Sequence, residues 1–237
     1  MRPLLFALLL AAAPAAAYQW PDYSKPEVFL KAGSQSYLSP EQFDFIKKDA
    51  GITDQEMGTI SMVGKVYAWM GKYFTNETDG GKSIGKNTAA GLLAGRNLYG
   101  CTDWALMASS VFRAGGMPSL MVDAVGIGWM DDYRKSSGTA GGFHGHVFTE
   151  VLADGLWILA EHNTRDYFQP YNPNDPVIPM PVGPEKEGFF VMRKGVDPAA
   201  YGINSVQQLN DLMKTYAMSK TGKISKPTYS RRKLPFN

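Results

Sequence analysis

The stretch Asn97-Leu98-Tyr99-Gly100-Cys101-Thr102-Asp103-Trp104-Ala105 holds the single cysteine of this 237-residue chain. A helical pattern of apolar residues continues from the cysteine to Arg113, and Gly115-Gly116 followed by Pro118 ends it. The spacing therefore predicts a helix over 101–113 that begins at Cys101. Unpaired N–H groups and the positive end of the helix dipole stabilise a thiolate at this position, and the thiolate is the nucleophilic form of cysteine.

A predicted β-hairpin follows the cysteine helix. The segment His146-Val147-Phe148-Thr149-Glu150-Val151 alternates along its length, Asp154-Gly155 is typical of a tight turn, and Leu156–Glu161 returns as the second strand. A thiol that opens a helix, a histidine that opens a strand and a carboxylate that ends the next strand can converge as nucleophile, base and orienting group. We therefore expect Cys101, His146 and Glu161 to form a catalytic triad.

Four sequence blocks, in this order, resemble the transglutaminase-like superfamily, whose core has the papain-like arrangement of a helix followed by a β-sheet. The blocks are Gly100-Cys101-Thr102-Asp103-Trp104-Ala105, Gly116-Met117-Pro118-Ser119-Leu120, His146-Val147-Phe148-Thr149-Glu150-Val151 and Gly155-Leu156-Trp157-Ile158-Leu159-Ala160-Glu161. The resemblance implies an α+β fold in which N-terminal helices and the cysteine helix pack on an antiparallel sheet. It also implies Cys101 as nucleophile, His146 as base and Glu161 at the position of the orienting acid, with no cofactor and no catalytic metal.

The chain departs from the family pattern at the orienting acid. Glu161 stands where the family has aspartate, and Glu161-His162-Asn163-Thr164 replaces the usual Asp-Pro-Thr. Because glutamate is one methylene longer, it reaches the imidazole only if the backbone recedes slightly. Asn163 is the second candidate for this role, in the manner of papain-like proteases. Leu120 replaces the usual arginine at a position that we interpret as structural.

Residues 126–142 predict a long loop, and long loops in compact domains frequently carry function. Trp129 and Tyr133 in this loop are candidate substrate contacts, with a merely solvated loop as the alternative. His144 faces the same way as His146 in an extended chain, so we expect it to line the cleft or to remain solvated.

Neither a metal site nor a role in the active site for Glu150 is predicted. The three histidines and Cys101 lack the H-x3-H and C-x2-C spacings that are typical of zinc sites. Glu150 is a second candidate acid, but it lies at the far end of its strand from His146. We therefore expect Glu150 to pack or pair structurally.

The N-terminus has the features of a secretory signal peptide. Arg2 precedes a short apolar run that ends in Ala15-Ala16-Ala17, which predicts cleavage between Ala17 and Tyr18 and a secreted or periplasmic protein. A lone cysteine excludes an internal disulfide. The expected organisation comprises a signal peptide (1–17), an N-terminal extension (18–58), the transglutaminase-like core (59–166), a Pro-rich segment with a helix (167–218) and a basic flexible tail (219–237).

Within these segments, Ser39 is expected to cap a helix over 40–48, and Thr53 a longer helix that runs through Lys72. Residues 166–188, which contain six prolines, are expected to run over the surface. A last helix is expected from Ser205 to Tyr216.

The formal net charge of +2 conceals an asymmetry, because seven basic residues and no acidic residue follow Asp211. The basic tail is a candidate for weak contact with an anionic surface such as a membrane or a cell-wall polymer; a solvated tail is the alternative. No recognised nucleic-acid-binding motif is present, so nucleic acid is not an expected partner. We expect a monomer.

The sequence thus predicts a secreted cysteine enzyme that acts on an amide or peptide bond of a protein or peptide, cell-wall peptides included, through a thioester. Whether the acyl group passes to water, as in a protease or amidase, or to an amine stays open. The alternative is a catalytically silent domain of the same fold that binds protein or cell-wall peptide. Glu161 at the aspartate position favours the silent domain, and retention of Cys101 and His146 opposes it.

Overall fold

The computed structural model describes residues 18–220 and 224–235, so the predicted signal peptide lies outside the described residues. The helices in these ranges are α1 (Pro40–Asp49), α2 (Ile60–Tyr73), α3 (Ala89–Gly95), α4 (Cys101–Ala114), α5 (Ile127–Lys135), α6 (Pro198–Tyr201) and α7 (Val206–Ser219). The strands are β1 (Thr75–Asn76), β2 (Asn97–Leu98), β3 (Ser119–Gly126), β4 (Gly145–Ala153), β5 (Leu156–Glu161), β6 (Asp166–Phe168), β7 (Val177–Ile178), β8 (Phe189–Gly195) and β9 (Arg231–Lys233). None of the described helices combines the length and apolarity needed to cross a membrane.

One antiparallel sheet organises the chain. Its seven strands follow the order β7-β8-β3-β4-β5-β6-β9, while β1 and β2 form a separate parallel pair. Helix α4 packs on β3 and β4 at the centre of the sheet. The predicted α+β fold, with the cysteine helix packed on an antiparallel sheet, is confirmed.

Successive side chains of β4 and β5 point to opposite faces of the sheet, so the two strands contribute to a hydrophobic cluster on each face. Val147, Val151 and Ile158 join the cluster that contains the apolar side of α4. Phe148 and Leu159 join the cluster on the opposite face. Both faces are therefore covered, which explains why these strands carry apolar residues at nearly every position.

Local sequence signals account well for the elements that position the site. Ser39 and Gln42 form a capping box at the start of α1. The hairpin between β4 and β5 turns at Asp154 and Gly155, both with positive φ (50° and 75°), as a tight two-residue turn requires. The predicted bounds of α4 and β5 agree with the structure within one residue.

The predicted start of the second helix is wrong. Thr53 caps a short 3-10 turn, Asp54–Glu56, and α2 begins only at Ile60. Between the two, Met57 is extended and Gly58 has a φ of 80°, so the chain leaves helical geometry before α2 begins. The capping signal at Thr53 was therefore real, but it serves a single turn.

The predicted loop over 126–142 is also wrong in its first half, which forms α5. Trp129, Met130 and Tyr133 are buried in a cluster that includes Met213 and Ala217 of α7. The glycine and charged residues of α5 obscure the helical spacing of its apolar residues in the sequence. Burial against α7, which is distant in sequence, stabilises the helix.

The C-terminal region is more ordered than the sequence predicts. Residues 166–188 contribute β6 and β7, and Tyr171 is buried rather than on the surface. In the basic tail, β9 pairs with β6, and Arg231 and Lys233 both form ion pairs with Asp166. Residues 231–233 of the predicted flexible tail therefore form an edge strand of the sheet.

Lys194 on β8 and Glu150 on β4 form an ion pair in which both side chains are fully buried. Tyr23 and Tyr171 donate hydrogen bonds to the glutamate, and Lys194 Nζ donates to the carbonyl of Pro173 at 2.6 Å. The pair thus anchors both the N-terminal extension and the proline-rich segment to the sheet, which confirms the structural role expected for Glu150.

Replacement of the buried lysine should destabilise the protein strongly. We expect Lys194→Met to lower the free energy of unfolding by about 3–5 kcal/mol, because it leaves the Glu150 carboxylate buried without its partner. The control is Lys47→Met, which removes an ion pair to the exposed Asp54 and should cost less than about 1 kcal/mol. Urea denaturation measures both. Equal losses would contradict the anchoring role.

Candidate active site

Gly100 places the cysteine at the start of α4. Its φ of 139° turns the chain from β2 into the helix, and residues with side chains rarely adopt this conformation. The N–H groups of Asp103 and Trp104 donate to the Gly100 carbonyl, each at 3.1 Å. The N–H groups of Cys101 and Thr102 lie before this first helical turn closes, where they have no partner within the helix. The half-buried thiol thus sits beside outward-pointing N–H donors.

The structure brings the three predicted catalytic residues together. Antiparallel pairing of β4 with β5 places His146 and Glu161 at the same end of the hairpin. His146 Nε2 lies 3.0 Å from Glu161 Oε1, and the Cys101 thiol lies close enough to the imidazole to raise the pKa of His146. Because Nε2 is engaged by the glutamate, Nδ1 is the ring nitrogen that faces the sulfur.

The Glu161 carboxylate is fully buried and enclosed by donors. Besides His146, it accepts hydrogen bonds from the backbone N–H of Asn163 at 2.9 Å, and from the N–H and hydroxyl of Thr164 at 2.6 and 2.9 Å. Burial raises the pKa of Glu161, but the hydrogen bonds and the nearby histidines outweigh burial and lower it to about 2. Glu161 is therefore a carboxylate at neutral pH.

Glu161, rather than Asn163, contacts the imidazole. The Asn163 side chain is exposed to solvent, and the residue reaches the site only through its backbone N–H. The extra methylene of the glutamate is accommodated because the turn after β5 wraps the carboxylate with N–H groups of residues 163 and 164.

The environment favours a charged imidazole at His146. Burial lowers the pKa of His146, but hydrogen bonds and charges from Cys101 and Glu161 outweigh burial and raise it to about 9. The imidazolium form therefore predominates at neutral pH.

A stack of two further aromatic rings lies against His146: His162, which the sequence raised only as a candidate metal ligand, and Trp104, which it did not single out. His162 stacks on His146 with ring centroids 5.2 Å apart, and Trp104 stacks on the other side of His162 at 5.2 Å. Burial and the charge of His146 lower the pKa of His162 to about 3, so His162 is neutral. Trp104 lies three residues after Cys101, a spacing that places both on one side of α4 and could have suggested it.

A further buried carboxyl group lies close to the imidazole. Asp123 precedes Ala124, the residue of β3 that pairs with His146. Burial raises the pKa of Asp123 to about 7, while the charges of His146 and Arg193 oppose that rise. Among the described residues, Asp123 Oδ1 and the nearby Tyr201 hydroxyl have no hydrogen-bond partner.

His146, Glu161 and His162 also present potential metal ligands within 4.8 Å of one another. In the structure, His146 and Glu161 bond to each other, and the second glutamate oxygen accepts two hydrogen bonds from Thr164. A bound cation would have to replace these contacts, so the ligand atoms fit a hydrogen-bonded triad better than a preformed metal site. That the protein works without a metal stays a prediction.

The predicted substrate contacts are not all brought to the site. Trp129 and Tyr133 stack on each other inside the α5–α7 cluster and are only 3% and 8% exposed, so they offer little surface to a substrate. Their spacing of four residues on one helix face, and not a loop position, explains this burial. His144 is half-buried two residues before His146 and stays a candidate contact.

Comparisons with known proteins provide little beyond the fold. No protein-family model matches the chain, and no curated protein matches it. A solved structure of a proposed cysteine protease from Cytophaga hutchinsonii is similar, with a TM-score of 0.47, 15% sequence identity and 89% of this chain covered. The match spans 56% of that protein's length. The roles of Cys101, His146 and Glu161 therefore rest on their geometry.

Removal of the thiol should lower the pKa of His146. Because the Cys101 hydrogen bond and charge both raise this pKa, we expect Cys101→Ala to move it down from about 9 towards neutrality. Imidazole resonances followed by NMR between pH 5 and pH 10 measure the change. Ser61→Ala, a substitution on α2 away from the site, provides the control. An unchanged titration in Cys101→Ala would show that the thiol does not act on His146.

Proposed function

We propose that the protein is a cysteine hydrolase or acyltransferase that acts on amide or peptide bonds through a thioester at Cys101. The observation that carries this proposal is the arrangement of Cys101 beside His146, whose imidazole is bonded at 3.0 Å to the buried carboxylate of Glu161. Such an arrangement supplies a nucleophile, a proton carrier and an orienting group in the order that acyl transfer requires.

In the acylation step, the Cys101 thiolate attacks the carbonyl carbon of the substrate and forms a C–S bond. Negative charge then develops on the carbonyl oxygen, and the free N–H groups at the start of α4 can stabilise it. His146 delivers the proton on Nδ1 to the leaving amine, the C–N bond breaks, and a thioester remains. Glu161 holds the ring in the tautomer and orientation that this transfer needs.

In the deacylation step, water or an amine attacks the thioester carbonyl while His146 accepts a proton from the attacking group. The C–S bond breaks, and the thiolate and imidazolium are restored. Attack by water makes the protein a protease or amidase, and attack by an amine makes it a cross-linking or acyl-transfer enzyme. A protein or peptide, cell-wall peptides included, is the proposed substrate.

We include membership of the transglutaminase-like superfamily and secretion in the proposal. The sequence blocks around Cys101, Pro118, His146 and Trp157 support the first, and the features of residues 1–17 support the second. The alternative of a catalytically silent domain was supported by the glutamate that stands at position 161 in place of the family's aspartate. In the structure Glu161 contacts His146 at 3.0 Å, so this replacement retains the orienting contact and no longer favours an inactive site.

An activated ester should acylate Cys101 alone. We expect 4-nitrophenyl acetate to release a burst of nitrophenol and to leave one acetyl group on Cys101, because the thiolate attacks esters as it attacks amides. Intact-mass spectrometry and peptide mapping locate the acetyl group, and Cys101→Ala should abolish both signals. Acetylation spread over lysines, with equal burst sizes in the two proteins, would reject the proposal.

Loss of the glutamate charge should slow deacylation far more than loss of the asparagine side chain. We expect Glu161→Gln to slow hydrolysis of the acetyl thioester by roughly tenfold or more, as loss of an orienting carboxylate does in other triads. Asn163→Ala, which retains the N–H donor to Glu161, should change the rate less than about twofold. Decay of the acetylated species, followed by mass spectrometry, measures both. Reversed effects would assign the orienting role to Asn163.

A further inference from the structure

A cavity of about 240 Å³ opens beside the thiol. Its walls come from the start of α4 and from the loop between β1 and α3, and they include Thr78, Gly81, Ile84, Tyr99, Cys101 and Thr102. Neither His146 nor Glu161 lines it. The cavity therefore meets the nucleophile on a side different from that of the proton carrier.

The loop that forms the outer wall is fixed in place. Asp79 accepts hydrogen bonds from the N–H groups of Gly81 and Ser83 at 2.8 and 2.6 Å, which closes the turn. Gln35 Nε2 donates to the carbonyls of Gly85 and Asn87 at 2.7 and 3.1 Å. The cavity is thus preformed, which reduces the ordering cost of binding.

Close packing prevents the wall from moving inward or outward freely. A Cβ at Gly85 would lie 2.4 Å from the Cα of Asn204, so the loop backbone rests directly on the segment before α7. A Cβ at Gly81 would lie 3.1 Å from Ile84 Cδ1 and 3.2 Å from Val206 Cγ2. Gly81 therefore lies against both Ile84 and the start of α7, and Ile84 packs against the hydrophobic core.

The carboxylates near the cavity are occupied by the protein itself. Asp103 Oδ2 accepts from Asn87 Nδ2 at 2.8 Å and from the Tyr99 N–H at 3.1 Å, and Asp103 is only 3% exposed. Both oxygens of Asp79 bind the N–H groups of its own turn. These groups would repel an acidic substrate side chain, yet neither is free to bind a basic one.

The direction of proton transfer identifies the part of the substrate that faces the cavity. His146 protonates the leaving amine, so the leaving group must lie on the side of the imidazole. The acyl part of the substrate then extends to the other side of the sulfur, where the cavity lies. We propose that this cavity binds an uncharged, apolar side chain on the acyl side of the scissile bond. This inference rests on the proposed function.

The size of the cavity limits the side chain. About eight water molecules would fill 240 Å³ at the density of liquid water, so the cavity has room for a side chain of leucine size and up to about phenylalanine size. Each methylene group that an apolar pocket gains or loses typically changes the rate by about 10–200-fold. Glycine would leave the cavity empty.

Four N-acetyl-aminoacyl chloromethyl ketones with glycyl, leucyl, aspartyl and lysyl side chains test this assignment. The thiolate displaces chloride and forms a thioether, and the amino-acid side chain then occupies the acyl side. We expect the leucyl probe to alkylate Cys101 at least about tenfold faster than each of the other three. Intact-mass spectrometry of the full chain gives the second-order rate constants. This series needs no substitution in the protein.

A pair of variants locates the selectivity. Ile84→Phe should reduce the ratio of leucyl to glycyl rate constants by about tenfold, because the ring fills the cavity. Lys82→Ala, an exposed position on the same loop, should leave the ratio unchanged. Circular dichroism verifies that both variants are folded.

Two outcomes would overturn the inference. Equal rates for all four probes would show that the cavity does not select, and a fastest lysyl probe would assign it to a cationic side chain. Iodoacetamide, which carries no side chain, separates these failures from failure of the proposed function. If iodoacetamide alkylates the folded chain no faster than the urea-unfolded chain, Cys101 is not activated, and the proposed function fails together with the pocket.

Discussion

The carboxylate of Glu161 is the interaction on which the site depends, because a fully buried charge is costly unless donors surround it. Here the turn after β5 contributes donors from Asn163 and Thr164, and the neighbouring strand β4 contributes the imidazole of His146. The need for these donors fixes the conformation of the turn over 162–164. That turn places His162 against His146. The position of the imidazole relative to α4 thus follows from the need to satisfy one carboxylate.

A second buried ion pair, between Glu150 and Lys194, lies nearer the other end of β4. Glu150 and Lys194 neutralise each other on the sheet, and tyrosines from two distant segments complete their hydrogen bonds. The sheet therefore holds one charged network that anchors distant segments and another that surrounds the candidate site. Because β4 carries both His146 and Glu150, the anchoring of the N-terminal extension is linked to the strand that bears the candidate-site imidazole.

The sequence was sufficient to predict α4, the β4–β5 hairpin and the meeting of Cys101, His146 and Glu161 at one place, since strong local patterns encode them. These patterns are local: each of them, such as Gly100 before α4 or the Asp154-Gly155 turn, determines the conformation of residues only a few positions away. The sequence was insufficient for α5, β9 and the stacking of Trp104 on His162, because each depends on a partner distant in the chain. Arg231, for example, finds its acidic partner 65 residues away, at Asp166.

The pKa values of the triad and its neighbour have a consequence for acidity. Glu161 loses its proton at a pH of about 2, His162 is neutral above a pH of about 3, and His146 keeps its proton to a pH of about 9. Across the range between them, these three side chains hold one fixed distribution of charge. If these three side chains alone determined the pH dependence, the activity would be constant between about pH 3 and about pH 9. An inflection near pH 6 or pH 7 would then report on Asp103 or Asp123, whose pKa values burial raises to about 6 and about 7, or on the substrate.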